Sequence, residues 1–369
     1  MNKKLLAVAV ASVLAAPATA LAQVTISGIF KVGIDQYKVS NPVVARTQTS
    51  EMRITDNSSR IIFGVTEDLG GGLAAIGQWD VRGAMDSGAG FGLTGNTWVG
   101  LRSNSWGSIT LGRHDLHYGS QPDDIAAKAG ALMAASVSLM DYAGGGGTAI
   151  AVTSRTANVV RWDSPSWGGF TMTAAYSTSV AAQESDLAVG ATEKGSAYNF
   201  KPVFTAANWQ IGASLWNSKS DGATGATVAE QDGQVIFGYW RMGGWKIGAA
   251  YNTSKTSTGG VDTSDRKAWT VPASFTTGAH NFYAHYTKAD DDDRIAGDNS
   301  AKMFAFAYVY DLSKRTSVGV TYAKLDNAPA AAYNFFTNSG TAGSLSSANA
   351  NLAAGEDATL IAFTVRHAF

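Results

Sequence analysis

The chain has 369 residues, a formal net charge of −1, no cysteine, 41 glycines and only 15% charged side chains. The missing cysteines exclude a disulfide framework and a thiolate metal site. The 45% hydrophobic and 10% aromatic content excludes a disordered chain, and 28 Lys+Arg against 29 Asp+Glu argues against a nucleic-acid binder.

Residues 1–22 read as a cleaved secretory signal peptide. Lys3 and Lys4 form a positive start, 5–14 an apolar stretch, Pro17 a break, and Ala20-Leu21-Ala22 a small-x-small cleavage site. Ten apolar residues are too few for a membrane-spanning helix, which takes about 20. No later stretch is long enough either, so the mature chain 23–369 is expected to be an exported bacterial-type protein without a transmembrane helix.

From Gln23 onward the dominant period is two. Val24, Ile26, Gly28, Phe30, Val32 and Ile34 share one face, with Thr25, Ser27, Lys31 and Asp35 on the other. Leu73, Ala75, Gly77, Trp79 and Val81 oppose Gln78, Asp80 and Arg82. Further along, Ile211, Ala213 and Leu215 oppose Gln210 and Ser214, and Ile247, Ala249 and Tyr251 oppose Lys246 and Asn252. The last segment sets Ile361, Phe363 and Val365 against Ala362, Thr364 and Arg366. Sixteen such segments are expected: 24–37, 59–68, 73–82, 96–102, 107–114, 155–163, 170–178, 196–205, 209–217, 232–241, 245–253, 266–275, 279–288, 301–311, 316–324 and 358–369. Most have the length of a tilted strand that crosses a hydrocarbon core.

Short and long connections alternate along the chain. The long ones fall at 38–58, 83–95, 115–154, 179–195, 218–231, 254–265, 289–300 and 325–357. Turns on one end and loops on the other are what an up-and-down transmembrane barrel has. A soluble sandwich has no reason to segregate loop length, and a propeller needs a recurring motif about 40 residues long that is absent here. In lipid every backbone group must be paired, so the sheet closes on itself, apolar face outward. The expected fold is an all-β, sixteen-stranded antiparallel transmembrane barrel with a water-filled lumen. Trp98, Trp106, Trp162, Trp209, Trp245, Tyr176 and Tyr251 lie near segment ends, where a barrel carries its interfacial aromatic girdles.

Several ordered pieces then carry a family resemblance. They are Ser59-Arg60, Thr66-Glu67-Asp68-Leu69-Gly70, Gly77-Gln78-Trp79-Asp80, Val99-Gly100-Leu101 and Trp106-Gly107-Ser108-Ile109-Thr110-Leu111-Gly112-Arg113. Arg155, Asn158, Arg161-Trp162-Asp163-Ser164-Pro165, Tyr310-Asp311-Leu312-Ser313-Lys314-Arg315-Thr316 and Val365-Arg366-His367-Ala368-Phe369 follow. In this order the chain resembles the Gram-negative trimeric general-diffusion porins, in particular the betaproteobacterial (Comamonas/Burkholderia/Bordetella-type) group.

That resemblance implies a homotrimer in the outer membrane, in contact with outer-membrane lipid and lipopolysaccharide. It implies no catalysis, no cofactor and no nucleic-acid partner. It also implies that the barrel assembly machinery reads the terminal pattern of Phe363, Val365 and Phe369, with His367 replacing the more usual aromatic. The long link 115–154 takes the place of the loop that folds into the barrel and narrows it. That link holds Asp123, Asp124, Asp141, a helix-capable run at 125–140 and a glycine run at 144–147 suited to a hinge. Arg60, Arg113 and Arg155 match the arginines of the constriction's basic wall, with Lys31, Asp80 and Arg161 as further lumen charges. Period-two parity points Arg60, Arg155 and Arg161 inward but places Arg113 with outward Ile109 and Leu111. The loop acids are expected to face the arginines.

Other constellations carry less. His114 and His117 flank Asp115 without a third ligand, and His280 and His285 lie on opposite faces of one strand. No metal site is expected. Asp290 to Asp293 form a solvated outer loop or a divalent-cation contact. The expected function is passive diffusion of ions and small hydrophilic solutes with a weak anion preference. That preference vanishes or reverses if all three loop aspartates face the lumen. A porin selective for organic acids or phosphate is the alternative, and a barrel enzyme or adhesin a more distant one. An enzyme needs an oriented Ser/His pair, which the histidines do not supply.

Overall fold

The computed structural model describes residues 22–88, 90, 92–117, 119–141, 155–179, 195–220, 229–336 and 352–369. Residues 1–21 of the leader expected at 1–22, and the glycine run at 144–147, lie outside the described residues. The strands are β1 (Gln23–Ser40), β2 (Ser50–Asp56), β3 (Arg60–Gly70), β4 (Leu73–Arg82), β5 (Thr97–Ser103), β6 (Gly107–Asp115), β7 (Arg155–Asp163), β8 (Phe170–Ser177) and β9 (Ser196–Thr205). They continue as β10 (Trp209–Ser220), β11 (Ala229–Met242), β12 (Trp245–Thr258), β13 (Val261–Thr277), β14 (His280–Ala289), β15 (Ala301–Asp311), β16 (Thr316–Asn327) and β17 (Asp357–Ala368).

From β3 onward each strand pairs antiparallel with the next, and β1 pairs with β17, so the sheet is closed. β2 and β3 both pair with β1, at Val32–Lys38 and Gln23–Ile29 respectively. They are two halves of one wall position, and the barrel is sixteen-stranded. Sixteen is even, which lets an antiparallel meander close without an edge. The seam ends in a reciprocal backbone pair: Gly28 N–H donates to Phe369 O at 3.0 Å, and Phe369 N–H to Gly28 O at 3.1 Å. A side chain at Gly28 would meet the Phe369 ring at 2.5 Å, so glycine there makes room for the terminal ring, 4.9 Å from the Phe30 ring.

Alternation sorts the wall as the period implies. On β1, Phe30 and Ile34 are exposed outward while Lys31, Asp35 and Tyr37 are buried in the lumen. Aromatic contacts run along the short-turn end: Trp162–Trp167, Phe204–Trp209, Trp245–Phe275 and Phe282–Tyr308. Trp98 departs from the girdle expected of it. It faces inward, stacked on His114 with centroids 6.0 Å apart.

Three elements differ from the sequence expectation. Residues 50–56, assigned to a link, form β2, cut from β3 where Ser58 takes a positive φ of 77°. The link expected at 254–265 is mostly strand: β12 and β13 run on to a tight turn at Gly259-Gly260, both with positive φ. The run 125–140 is not a long helix. It contains a 3₁₀ turn at Leu132–Ala134 and one short helix, α1 (Val137–Met140). The wall, rather than a helix, satisfies its backbone. Among the described residues no helix is long and apolar enough to cross a membrane.

Candidate functional site

The segment after β6 crosses the lumen. Starting from Asp115, it buries His117, whose Nδ1 lies 2.9 Å from Ser214 Oγ on β10. Asp124 pairs with Lys246 of β12 at 2.6 Å. Lys31 Nζ donates to Ala126 O at 2.9 Å, and Lys128 pairs with Asp311 of β15. Ala131 N–H donates to Thr321 Oγ1 of β16 at 2.9 Å, and Leu132 N–H to Asn57 Oδ1 at 2.8 Å. His285 Nε2 sits 2.7 Å from Ala134 O, and Asn252 Nδ2 donates to Met140 O at 2.8 Å. A chain threading a barrel has no sheet to join, so wall side chains take up its backbone groups.

The wall beneath the segment is apolar and small. Ala305, Ala307, Val309, Ala323, Leu325, Ala358, Leu360 and Ala362 pack with Ile125, Met133, Leu139 and Met140 of the segment. Gly319 completes the fit: a Cβ there would stand 2.6 Å from Ala129 O. One half of the lumen is therefore filled.

The other half carries the arginines. On β4, Arg82 holds Asp80 with two bonds, Nε–Oδ1 at 3.1 Å and Nη2–Oδ2 at 2.9 Å, and donates to Ser58 Oγ at 2.8 Å. Arg155, at the start of β7, lies 3.4 Å from Asp115. Asn96 braces Asp115 through its Nδ2, 2.9 Å from Oδ2. Arg60 is within electrostatic reach of Arg82, Asp80, Arg155 and Asp115, and Arg113 of Arg155 and Asp115. Four guanidinium groups thus share one region with two carboxylates. Arg113 reaches it at a break in register between Gly112 and His114, opposite Asn158 with its positive φ of 54°. Toward the short-turn end, Arg161 is held by Asp163 at 2.8 Å through both Nε and Nη2.

The three loop carboxylates are engaged elsewhere. Asp123 accepts from Ile125 N–H at 3.0 Å and Ser136 N–H at 2.8 Å. Asp124 is taken by Lys246. Asp141 accepts from Gly119 N–H at 3.2 Å, and burial pushes its carboxyl up to about 6. The acids beside the arginines are Asp80 and Asp115, both on wall strands. Arg82 and Asp115 are members of this cluster beyond those expected from the sequence. Their signal was the inward parity of Arg82 with Asp80 and the place of Asp115 at a strand end.

His117 is driven down to about 3 by burial, so it stays neutral. Among the described residues no three His, Cys, Asp or Glu side chains are grouped to hold a metal. In the outer loop, Asp292 is used internally by Ser264 Oγ at 2.6 Å and Asp265 N–H at 2.8 Å. Phe363, Val365 and Phe369 lie on the outward side of β17 and its end.

A family model described as Gram-negative porin matches residues 7–330. An outer membrane porin protein of Bordetella pertussis is 28% identical, over 88% of this chain and 94% of its own length. Outer membrane porin protein 32 of Delftia acidovorans is 26% identical over the whole of both chains. Among solved structures, an anion-selective porin from Comamonas acidovorans superposes with a TM-score of 0.76 at 22% identity, covering 95% of this chain and all of its own.

Proposed function

Because the chain belongs to the Gram-negative porin family and forms an outer-membrane diffusion channel, we propose that Arg60, Arg82, Arg113 and Arg155 set a weak anion preference at its narrowest section. The observation that carries this reading is the excess of four guanidinium groups over Asp80 and Asp115 in one region of the wall. Guanidinium groups remain charged at any working pH. Two net charges at about 8 Å in water are worth about 1 kcal/mol unscreened, and about 0.4 kcal/mol after one Debye length of salt screening. That doubles local anion concentration and halves that of cations, a preference of about fourfold. The name of the Comamonas neighbour agrees in sign.

The assembled form proposed is a homotrimer. A Vibrio cholerae neighbour is described in a trimer form. The outward face of β1–β5 carries exposed Val24, Ile26, Met52, Trp79 and Val99, an apolar surface for a second copy. Removal of a leader at 1–22, reading of Phe369 by assembly machinery and contact with lipopolysaccharide complete the proposal. The ion preference is tested by the zero-current potential in a salt gradient. Wild type should show the anion sign, and Arg60→Ala with Arg155→Ala should move it toward zero. An unchanged potential in the double variant overturns the assignment.

A further inference from the structure

We infer that the short-turn mouth of the channel holds a separate seat for a small oxyanion, built from Lys31, Arg366 and Ser317. Lys31 on β1 and Arg366 on β17 are direct cross-strand partners, and Arg366 is in turn opposite Ser317 on β16. All three lie on the lumen side, since the alternate positions Phe30, Val365 and Val320 are exposed outward. Like charges set directly opposite each other across a sheet destabilise it. Among the described residues neither cation has a carboxylate at ion-pair distance. Asp56, the acid within electrostatic reach of Lys31, is occupied by the N–H groups of Ser58 and Ser59, and Asp311, next along the row from Ser317, holds Lys128.

The donors also outnumber the acceptors. The Lys31 ammonium gives one bond to Ala126 O, which leaves two of its three N–H groups. Arg366 Nε and Ser317 Oγ are buried without a partner, and Ser317 is only 2% exposed. Arg60 is within electrostatic reach of Lys31, so the seat adjoins the arginine wall. A guanidinium Nε–H and a hydroxyl without partners, beside an ammonium with N–H groups to spare, fit an acceptor-only group: a phosphate or carboxylate. Ser317 is the second residue of β16, just past the short turn 312–315, and the inserted segment touches the seat where Ala126 O meets Lys31.

The inference rests on the lumen conducting, but not on the sign of its ion preference. The test is block of chloride current in planar bilayers by inorganic phosphate, added to each side in turn. Wild type should be blocked at lower concentration from one side than from the other. Arg366→Gln and Lys31→Gln should each raise the half-blocking concentration at least threefold. Arg366→Lys should keep most of the block, and the outward-facing Lys302→Gln should leave it unchanged. If Arg366→Gln does not assemble, Lys31→Gln and Ser317→Val carry the test. Wild type insensitive to phosphate, or unchanged block in the assembled variants, overturns the seat. A cation-selective wild type that phosphate still blocks would sink the ion preference alone.

Discussion

Replacing Thr321 by valine removes the hydroxyl that accepts from Ala131 N–H and leaves everything else in the wall nearly the same shape. Ala131 is fully buried, so the stranded N–H finds no water. An unsatisfied buried donor costs about 1–3 kcal/mol. The cost falls on the seated segment, because a detached segment hydrates the same N–H. The ratio of detached to seated segment should therefore rise by about 5- to 150-fold, taking 1.4 kcal/mol as tenfold. Lys128 lies in this segment, paired with Asp311 when seated. Trypsin should reach it only after detachment, so nicking at Lys128 in the assembled barrel reads the ratio. Thr321→Ser keeps the acceptor and should behave as wild type. Equal nicking rates for Thr321→Val and Thr321→Ser, in barrels of normal gel mobility, would refute the idea that wall side chains hold the segment.

Two other expectations follow from single contacts. Deleting Phe369 removes the reciprocal backbone pair with Gly28 and its ring from Phe30, so surface levels should fall well below those of an Ala368→Gly variant; equal levels would remove the terminal residue from the assembly account. Asp141, held up to about 6 against an ordinary 3.8 mainly by burial, binds its proton more tightly seated than detached. Seating should then weaken as pH rises from about 4 to 6 and level off above, and Asp141→Asn should abolish that slope in the same nicking assay.

The barrel was legible because its two faces meet different solvents. Segments such as 170–178 and 301–311 needed only the alternation of apolar and polar side chains. β2 was hidden because Asn57-Ser58-Ser59 interrupts its wall position, and Glu51 and Asp56 make it look like a loop. The 125–140 run has helical composition but not a helix's freedom: Asn57, Thr321, His285 and Asn252 pull its backbone onto the wall. A signal for the filled half was present in the inward positions of β15 and β17. Ala305, Ala307, Ala358 and Ala362 are too apolar to face open water. Family motifs pointed to Arg60, Arg113 and Arg155, and parity to Arg60 and Arg155, but neither singled out Arg82. Their acid partners were not readable, because pairing depends on the route of the segment, and that route takes Asp123 and Asp124 to the opposite wall. Arg113 shows the limit of parity, which a register shift beside Gly112 resets.

This barrel is a water-filled channel, and we propose that the segment crossing it limits its bore. Single-channel conductance of purified protein in planar bilayers, compared with a variant in which a short linker replaces 117–141, tests that most directly. Wild type should give discrete ohmic steps, and the assembled variant larger ones. No conductance from wild type, or steps of equal size from the two barrels, would contradict the account.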